Sequence, residues 1–222
     1  MKNESINSIF QQIKREMISA WAYLDTFDAI YCSTDINQIK ILEETAPGFF
    51  SLTQSALIES AFSRIARLMD PKKSCGLDNL NFTTLCHRCS EQQVFNNPCE
   101  AFSIIAKEWK EGEYESLRTH RNKIQSHNDL SMLSQAQPLV TSKLSLQDVQ
   151  LLKQLHEKLW SLLENINAIL FNSALLKPTY GALNQRPVAF LDYLKAGLQV
   201  SKNVPELPEL NQNINDAKRN IS

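Results

Sequence analysis

The stretch SLRTHRNKIQSHNDL gathers Arg118, His120, Arg121, Lys123 and His127 within ten residues of a chain whose formal charge is only -1. Those groups suit metal-free cleavage of RNA. A His with a near-neutral pKa can take the proton from a ribose 2′-OH or return one to the leaving 5′-oxygen, while Arg neutralises charge building on the phosphorane. Asn122 can donate a further hydrogen bond to a phosphate oxygen. A plainer reading is a basic helix C-terminus, which the helix dipole favours in any protein. Geometry adds a constraint, because His120 and His127 share nearly one azimuth of a helix whereas Arg121 and His127 lie roughly 120° apart. Convergence of that Arg and His on one phosphate requires a frayed last turn before Asn128, or two copies meeting across a two-fold axis.

Two other constellations compete for attention. Cys86-His87-Arg88-Cys89 is a single CxxC, flanked by Cys75 and Cys99. Four thiolates can hold zinc, but structural sites usually present two close-spaced pairs, and helical Cys residues are more often small core fillers. No βαβ pattern surrounds the motif to suggest redox work. No metal and no cofactor is therefore expected. Arg64 and Arg67 lie three apart on one helical face and could meet phosphate, yet a solvated or salt-bridged face is the simpler expectation.

These residues need a scaffold, and composition says which kind. With 222 residues, 43% hydrophobic, 21% charged and only 5 Gly, the chain can bury a full core and has the balance of packed helices. A pI of about 6.4 argues against a globally basic nucleic-acid coat, so any polyanion site must be local. The N-terminal MKNESINSIFQQIKREM lacks the apolar core of a signal peptide, and no run of about 18 apolar residues predicts a membrane span. A cytoplasmic protein without disulfides is expected, despite five cysteines.

Apolar periodicity marks out helices one after another. Ile6, Ile9, Phe10, Ile13, Met17, Trp21, Leu24 and Phe27 form one stripe of a long first helix. Asp35 and Gln38 suggest a capping box for a short helix to Glu44, interrupted by Pro47-Gly48. A second long helix carries Phe49 to Met69 and is expected to stop at Asp70-Pro71. PKKSCGLDNLN reads as a loop with Lys72 and Lys73 solvated, followed by a short helix from about Thr83 to Val94. From Pro98 a helical pattern places Ala101, Ile104, Ile105 and Trp109 on one stripe, is weakened at Gly112, and continues through Leu117 and Ile124 to His127. After a loop, Ser145 with Asp148 caps a last long helix lined by Val149, Leu152, Leu155, Leu159, Leu162, Leu163, Ile166 and Leu170. Phe190 to Leu198 is expected to form one more short helix, and the tail from Ser201 is expected to be loose. The expected fold is all-α, a bundle of up-and-down long helices with short connecting helices, occupying residues 1–176, with 177–222 as a C-terminal extension.

RNKIQSHND resembles the signature of the HEPN superfamily, an Arg, usually followed by a polar residue, that precedes a His by four to six intervening residues near a helix end. Within that superfamily the chain is most similar to the abortive-infection U-type (AbiU2-like) branch, whose motif reads approximately RxKxxAHxD. Arg121, Lys123, His127 and Asp129 match, and Ser126 stands where that branch has Ala. Upstream, RLMDPKKSCGLDNLNFTTL is similar to the same branch in its Arg-Leu-x-Asp-Pro helix end and NLxxxxL helix start. The resemblance covers about Ile6 to Phe171. It implies a helical bundle that dimerises so that Arg and His of two chains line one cleft. For many members it also implies metal-independent endoribonuclease activity in toxin-antitoxin, abortive-infection or other phage-defence systems.

Carried over to this chain, the resemblance makes His127 the general acid/base, Arg121 the phosphate and transition-state stabiliser, and Asn122 a polar auxiliary. Arg118, His120 and Lys123 become candidates for flanking phosphates. The implied partners are RNA, a second copy of the chain, and an antitoxin or other regulatory partner. Some members are non-catalytic, so the alternative is a helical module that binds a nucleotide or cements a dimer.

Overall fold

The computed structural model describes residues 5–32, 36–74, 77–90, 92–122, 144–176 and 189–199. Helix α1 (Ile6–Tyr31) presents Ile9, Phe10, Ile13, Met17, Leu24 and Phe27 to the core, as their spacing predicts. Each such burial stabilises the fold by about 1.5–3 kcal/mol before ordering costs are subtracted. Its longest partner surface is α3 (Pro47–Leu68), which Pro47 opens from the first turn, where its missing N–H costs nothing. Between them lies α2 (Ile36–Thr45). The capping box anticipated from Asp35 and Gln38 rests on Asp35, which lies outside the described residues. The Gln38 Nε2 donates to the carbonyls of Ala29 and Ile30, satisfying acceptors left open in the last turn of α1.

After α3 the chain makes a two-stranded antiparallel ladder, β1 (Lys73–Ser74) with β2 (Leu77–Asp78), where only a loop was expected. Two-residue strands carry too little alternation to be read from sequence. Helix α4 (Phe82–Cys89) is shorter than predicted, because a 3-10 turn at Gln93–Phe95 takes over its last residues. The two long helices that follow, α5 (Asn96–Glu111) and α7 (Leu146–Phe171), pack on one another and close the principal core. On α5 the buried stripe runs through Phe102, Ile105 and Trp109, and Ile104 faces solvent at 59% exposure. Helix α7 begins with the predicted capping box: the Asp148 N–H donates to the Ser145 hydroxyl and the Ser145 N–H donates to Asp148 Oδ2, both at 3.1 Å.

Gly112 does more than weaken a helix. It ends α5 and lets α6 (Glu115–His120) leave in a new direction, with Tyr114 and Leu117 driven fully into the core. A Cβ at Gly112 would stand 2.9 Å from the Glu108 Cα, a backbone atom that cannot swing aside. Gly112→Ala is therefore expected to lower stability by about 1–3 kcal/mol through overpacking. An unchanged midpoint in urea denaturation would refute that.

The principal core joins α1, α3, α4, α5, α6 and α7. A second small cluster of Ile30, Leu42, Phe50 and Leu191 seats α8 (residues 189–199) on the end formed by α1, α2 and α3. The helix expected near Phe190 to Leu198 is thus present and has a docking place. The boundary expected at 176/177 adjoins residues 177–188, which lie outside the described ones, as do the loop from Asn128 and the tail from Ser201. The described residues are all-α apart from the short ladder, and no helix among them is long and apolar enough to cross a membrane.

Candidate functional site

Helix α6 gives way at Arg121 and Asn122 to a π-type turn, a widened helical geometry that re-aims side chains. From there the Arg121 guanidinium reaches across the bundle. Nη2 donates to Asp70 Oδ1 at 2.6 Å, and Nη1 donates to Asn122 Oδ1 at 3.0 Å. Asp70 is the acidic residue of the RLMDP block, 51 positions earlier in the chain. The two sequence segments that looked alike to one family therefore meet in a single ion pair.

Asp70 is itself held from behind. Asn81, fully buried, donates Nδ2 to the Asp70 carbonyl at 2.8 Å and to the Pro71 carbonyl at 3.0 Å. Its Oδ1 accepts from the Thr84 N–H at 2.9 Å and so caps α4. Thr83 Oγ1 adds a donor to the Asp70 carbonyl at 3.3 Å. One asparagine thus ties the end of α3 to the start of α4 and fixes the backbone from which the carboxylate projects. Burial pushes the Asp70 carboxyl above its ordinary range, and the Arg121 charge opposes that rise without overcoming it. The geometry is that of a tight ion pair, and the upward shift reflects how little water reaches Asp70, whose side chain is 18% exposed.

Arg121, Asn122 and Asp70 line a cleft of about 550 Å³ between the end of α3, the start of α4, and α5 and α6. Lys72, Lys110 and Arg118 also line it, so among the described residues the cleft holds four cations and one carboxylate in a chain whose sum is -1. Arg118 is anchored by donating Nη1 to the Lys110 carbonyl at 2.7 Å. Such a concentration in a partly walled site attracts phosphate more strongly than the same charges spread over a surface. It supplies the local basic patch that net charge concealed.

His120 does not join this group. Its ring meets Phe62 edge-on at 5.0 Å on the side of α6 facing α3 and α7. Burial pushes its pKa down, partly offset by Asp148 and Glu59, which keeps the imidazole neutral to a lower pH than usual. Lys123 and His127 lie outside the described residues. Arg118, Arg121 and Asn122 are therefore brought together, and His120 is turned away from them.

Sequence reasoning passed over Asp70, Lys72, Lys110, Thr83 and Ser103 as cleft residues. Asp70 stood inside the quoted RLMDP block, and only its helix-ending role was read. Lys72, taken as solvated, is half-buried on the cleft wall. Nothing local distinguishes Lys110 from any other exposed helical lysine.

The other two constellations resolve differently. Arg64 and Arg67 both donate to Glu16 Oε2, at 2.7 and 3.3 Å, and Arg64 lies over the Tyr23 ring, a salt-bridged face as expected. Cys86 and Cys89 are buried in the core, with the Cys89 thiol pushed up to about 12 by burial and by Cys99, and with Cys86 also raised. They are protonated fillers in this arrangement, while Cys75 lies outside the described residues. Among the described residues no cluster of His, Cys, Asp and Glu could hold a metal ion.

The all-α bundle agrees with the fold that the HEPN resemblance implies. The HEPN_AbiU2 family model, described as AbiU2, matches residues 4–166, and the chain belongs to that family. The match ends within α7 and leaves α8 outside it. No curated protein and no solved structure matches the chain.

Proposed function

We propose that this protein is a metal-independent endoribonuclease of the abortive-infection or toxin-antitoxin type, acting inside the cell as a homodimer and restrained by an antitoxin or other regulatory partner. The observation that carries this reading is the cleft in which Arg121 and Asn122 stand with three further cations and, among the described residues, a single carboxylate. Arg121 binds the scissile phosphate and neutralises the phosphorane, with Asn122 beside it. His127 acts as general acid/base: the 2′-oxygen attacks phosphorus as its proton is removed, the P–O5′ bond breaks, and the 5′-oxygen takes up a proton. The products are a 2′,3′-cyclic phosphate and a 5′-hydroxyl. Nothing in this step calls for a cation other than the protein's own.

The test is cleavage of total or transfer RNA by purified protein in EDTA, with product ends analysed. Cutting that survives chelation and leaves 2′,3′-cyclic phosphate is expected. A folded dimer that cuts nothing, with or without the product of a neighbouring gene, would overturn the reading.

The Asp70–Arg121 ion pair favours one alternative, because an Arg already neutralised by a carboxylate can serve to hold a fold. On that account the Arg-His helix end belongs to a non-catalytic nucleotide-binding or dimer-forming module. Full biological effect in an Arg121→Ala, His127→Ala double variant would establish it.

A further inference from the structure

The cleft is larger and more apolar than a phosphate alone requires. The buried Met69, Phe102 and Trp109, with half-buried Ala106, form its apolar floor, and the more exposed Pro71, Lys72, Lys110, Arg118 and Arg121 line it nearer solvent. Phe102 is stacked on Phe82 behind it, with ring centroids 5.7 Å apart and planes 26° apart, and Trp109 is buried to 6% exposure. The floor is therefore rigid rather than a collapsible gap. A volume of about 550 Å³ falls within the usual range for sites that enclose a small organic ligand.

A phosphodiester held by the cations would leave the apolar half of the cleft unfilled. The ligand that satisfies both halves has an anionic end and a flat, largely apolar body whose edge forms hydrogen bonds. A nucleotide has that chemistry. The Ser103 hydroxyl, exposed in the lining, supplies a group able to meet a base edge, and the Thr83 oxygen, whose proton goes to the Asp70 carbonyl, keeps its acceptor capacity.

We propose that the floor formed by Phe102, Ala106 and Trp109 is a nucleobase subsite, which takes one unpaired base of a single-stranded RNA while Arg121 holds an adjoining phosphate. The proposal rests on reading the cleft as an RNA site, and it adds what that reading leaves open. A base seated on this floor must be unstacked from its neighbours, so the preferred substrate is a loop or single strand rather than a duplex. Helix α5, outside the Arg-His motif, then contributes to the choice of cleavage position.

Ser103 is exposed on α5, so Ser103→Trp places a ring into the cleft without disturbing the core or any of the four cations. Ala106→Leu is a smaller filling at the next turn, for use should the first variant fail to fold by circular dichroism and thermal melting. Isothermal titration of the full chain with adenosine 3′-monophosphate and with inorganic phosphate separates base from anion. Wild type is expected to bind the nucleotide at least about ten-fold more tightly than phosphate, a factor worth about 1.4 kcal/mol. The filled variants are expected to lose that advantage and keep their phosphate affinity.

Equal affinity for the two probes in wild type, no binding of either, or a nucleotide preference that survives both fillings would overturn the subsite. RNA cutting in EDTA together with equal affinities would leave the nuclease reading standing without it. Preferential nucleotide binding without any cutting would do the reverse.

Discussion

Arg121→Ala is expected to slow RNA cleavage by about 100- to 1,000-fold under single-turnover conditions, the loss typical of removing one preorganised group that stabilises transition-state charge. The same substitution is expected to weaken RNA binding far less, because Lys72, Lys110 and Arg118 still attract the backbone. That split between turnover and affinity carries the information. A general electrostatic role would reduce both together, and a scaffold role would lower stability in proportion. Arg121→Lys should recover little. A lysine is a point charge on a flexible stem and cannot hold the Asp70 carboxylate, the Asn122 amide and a phosphate in one plane. His127→Ala belongs to the same experiment, with a loss of about 100- to 10,000-fold expected for a general acid/base. Cleavage by Arg121→Ala within ten-fold of wild type would remove Arg121 from the chemistry.

Asn81→Ala is expected to be the most damaging single polar substitution near the cleft, lowering stability by about 3 kcal/mol. Loss of the α4 cap accounts for roughly 1 kcal/mol, and loss of the two bonds to the Asp70 and Pro71 carbonyls, which keep the Thr83 hydroxyl and the Asn79 amide as donors, accounts for the rest. Some water entry would soften the second contribution. For a chain of this size the corresponding fall in melting temperature is about 6–12 °C. Because Asn81 is fully buried and touches the backbone of Asp70, the folded fraction should also show reduced turnover as the carboxylate and its Arg121 partner lose their fixed position. Urea denaturation and a specific-activity measurement corrected for folded fraction check both parts. A change below about 1 kcal/mol would mean that the turn holds itself without this residue.

Much of this protein could be read from its sequence for a physical reason that the individual elements show. The stripe from Ile9 to Phe27 and the Ser145-Asp148 capping box are signals written within a few residues of where they act. So is the stop at Asp70-Pro71. Periodicity, capping and proline geometry are short-range effects, so the order and kind of the long helices were determined before any packing was known. The motif resemblance also stood on contiguous residues, which is why the family could be named from them.

Other features depend on partners distant in sequence, and there local reasoning failed or was silent. Gly112 looks like a weak point inside a helix. Only the burial of Tyr114 and Leu117 against α7 and the core makes it a corner. His120 is one residue from Arg121, yet packing of α6 between α3 and α7 points its ring at Phe62 and away from the cleft. Asp70 and Arg121 meet only because α3 and α6 end at the same side of the bundle. Residue type and short-range spacing determined the helices and nominated the Arg-His stretch. Tertiary packing alone decided which of its neighbours share a cleft, because contacts between residues tens of positions apart are set by how helix faces meet and not by the stretch of chain around either one.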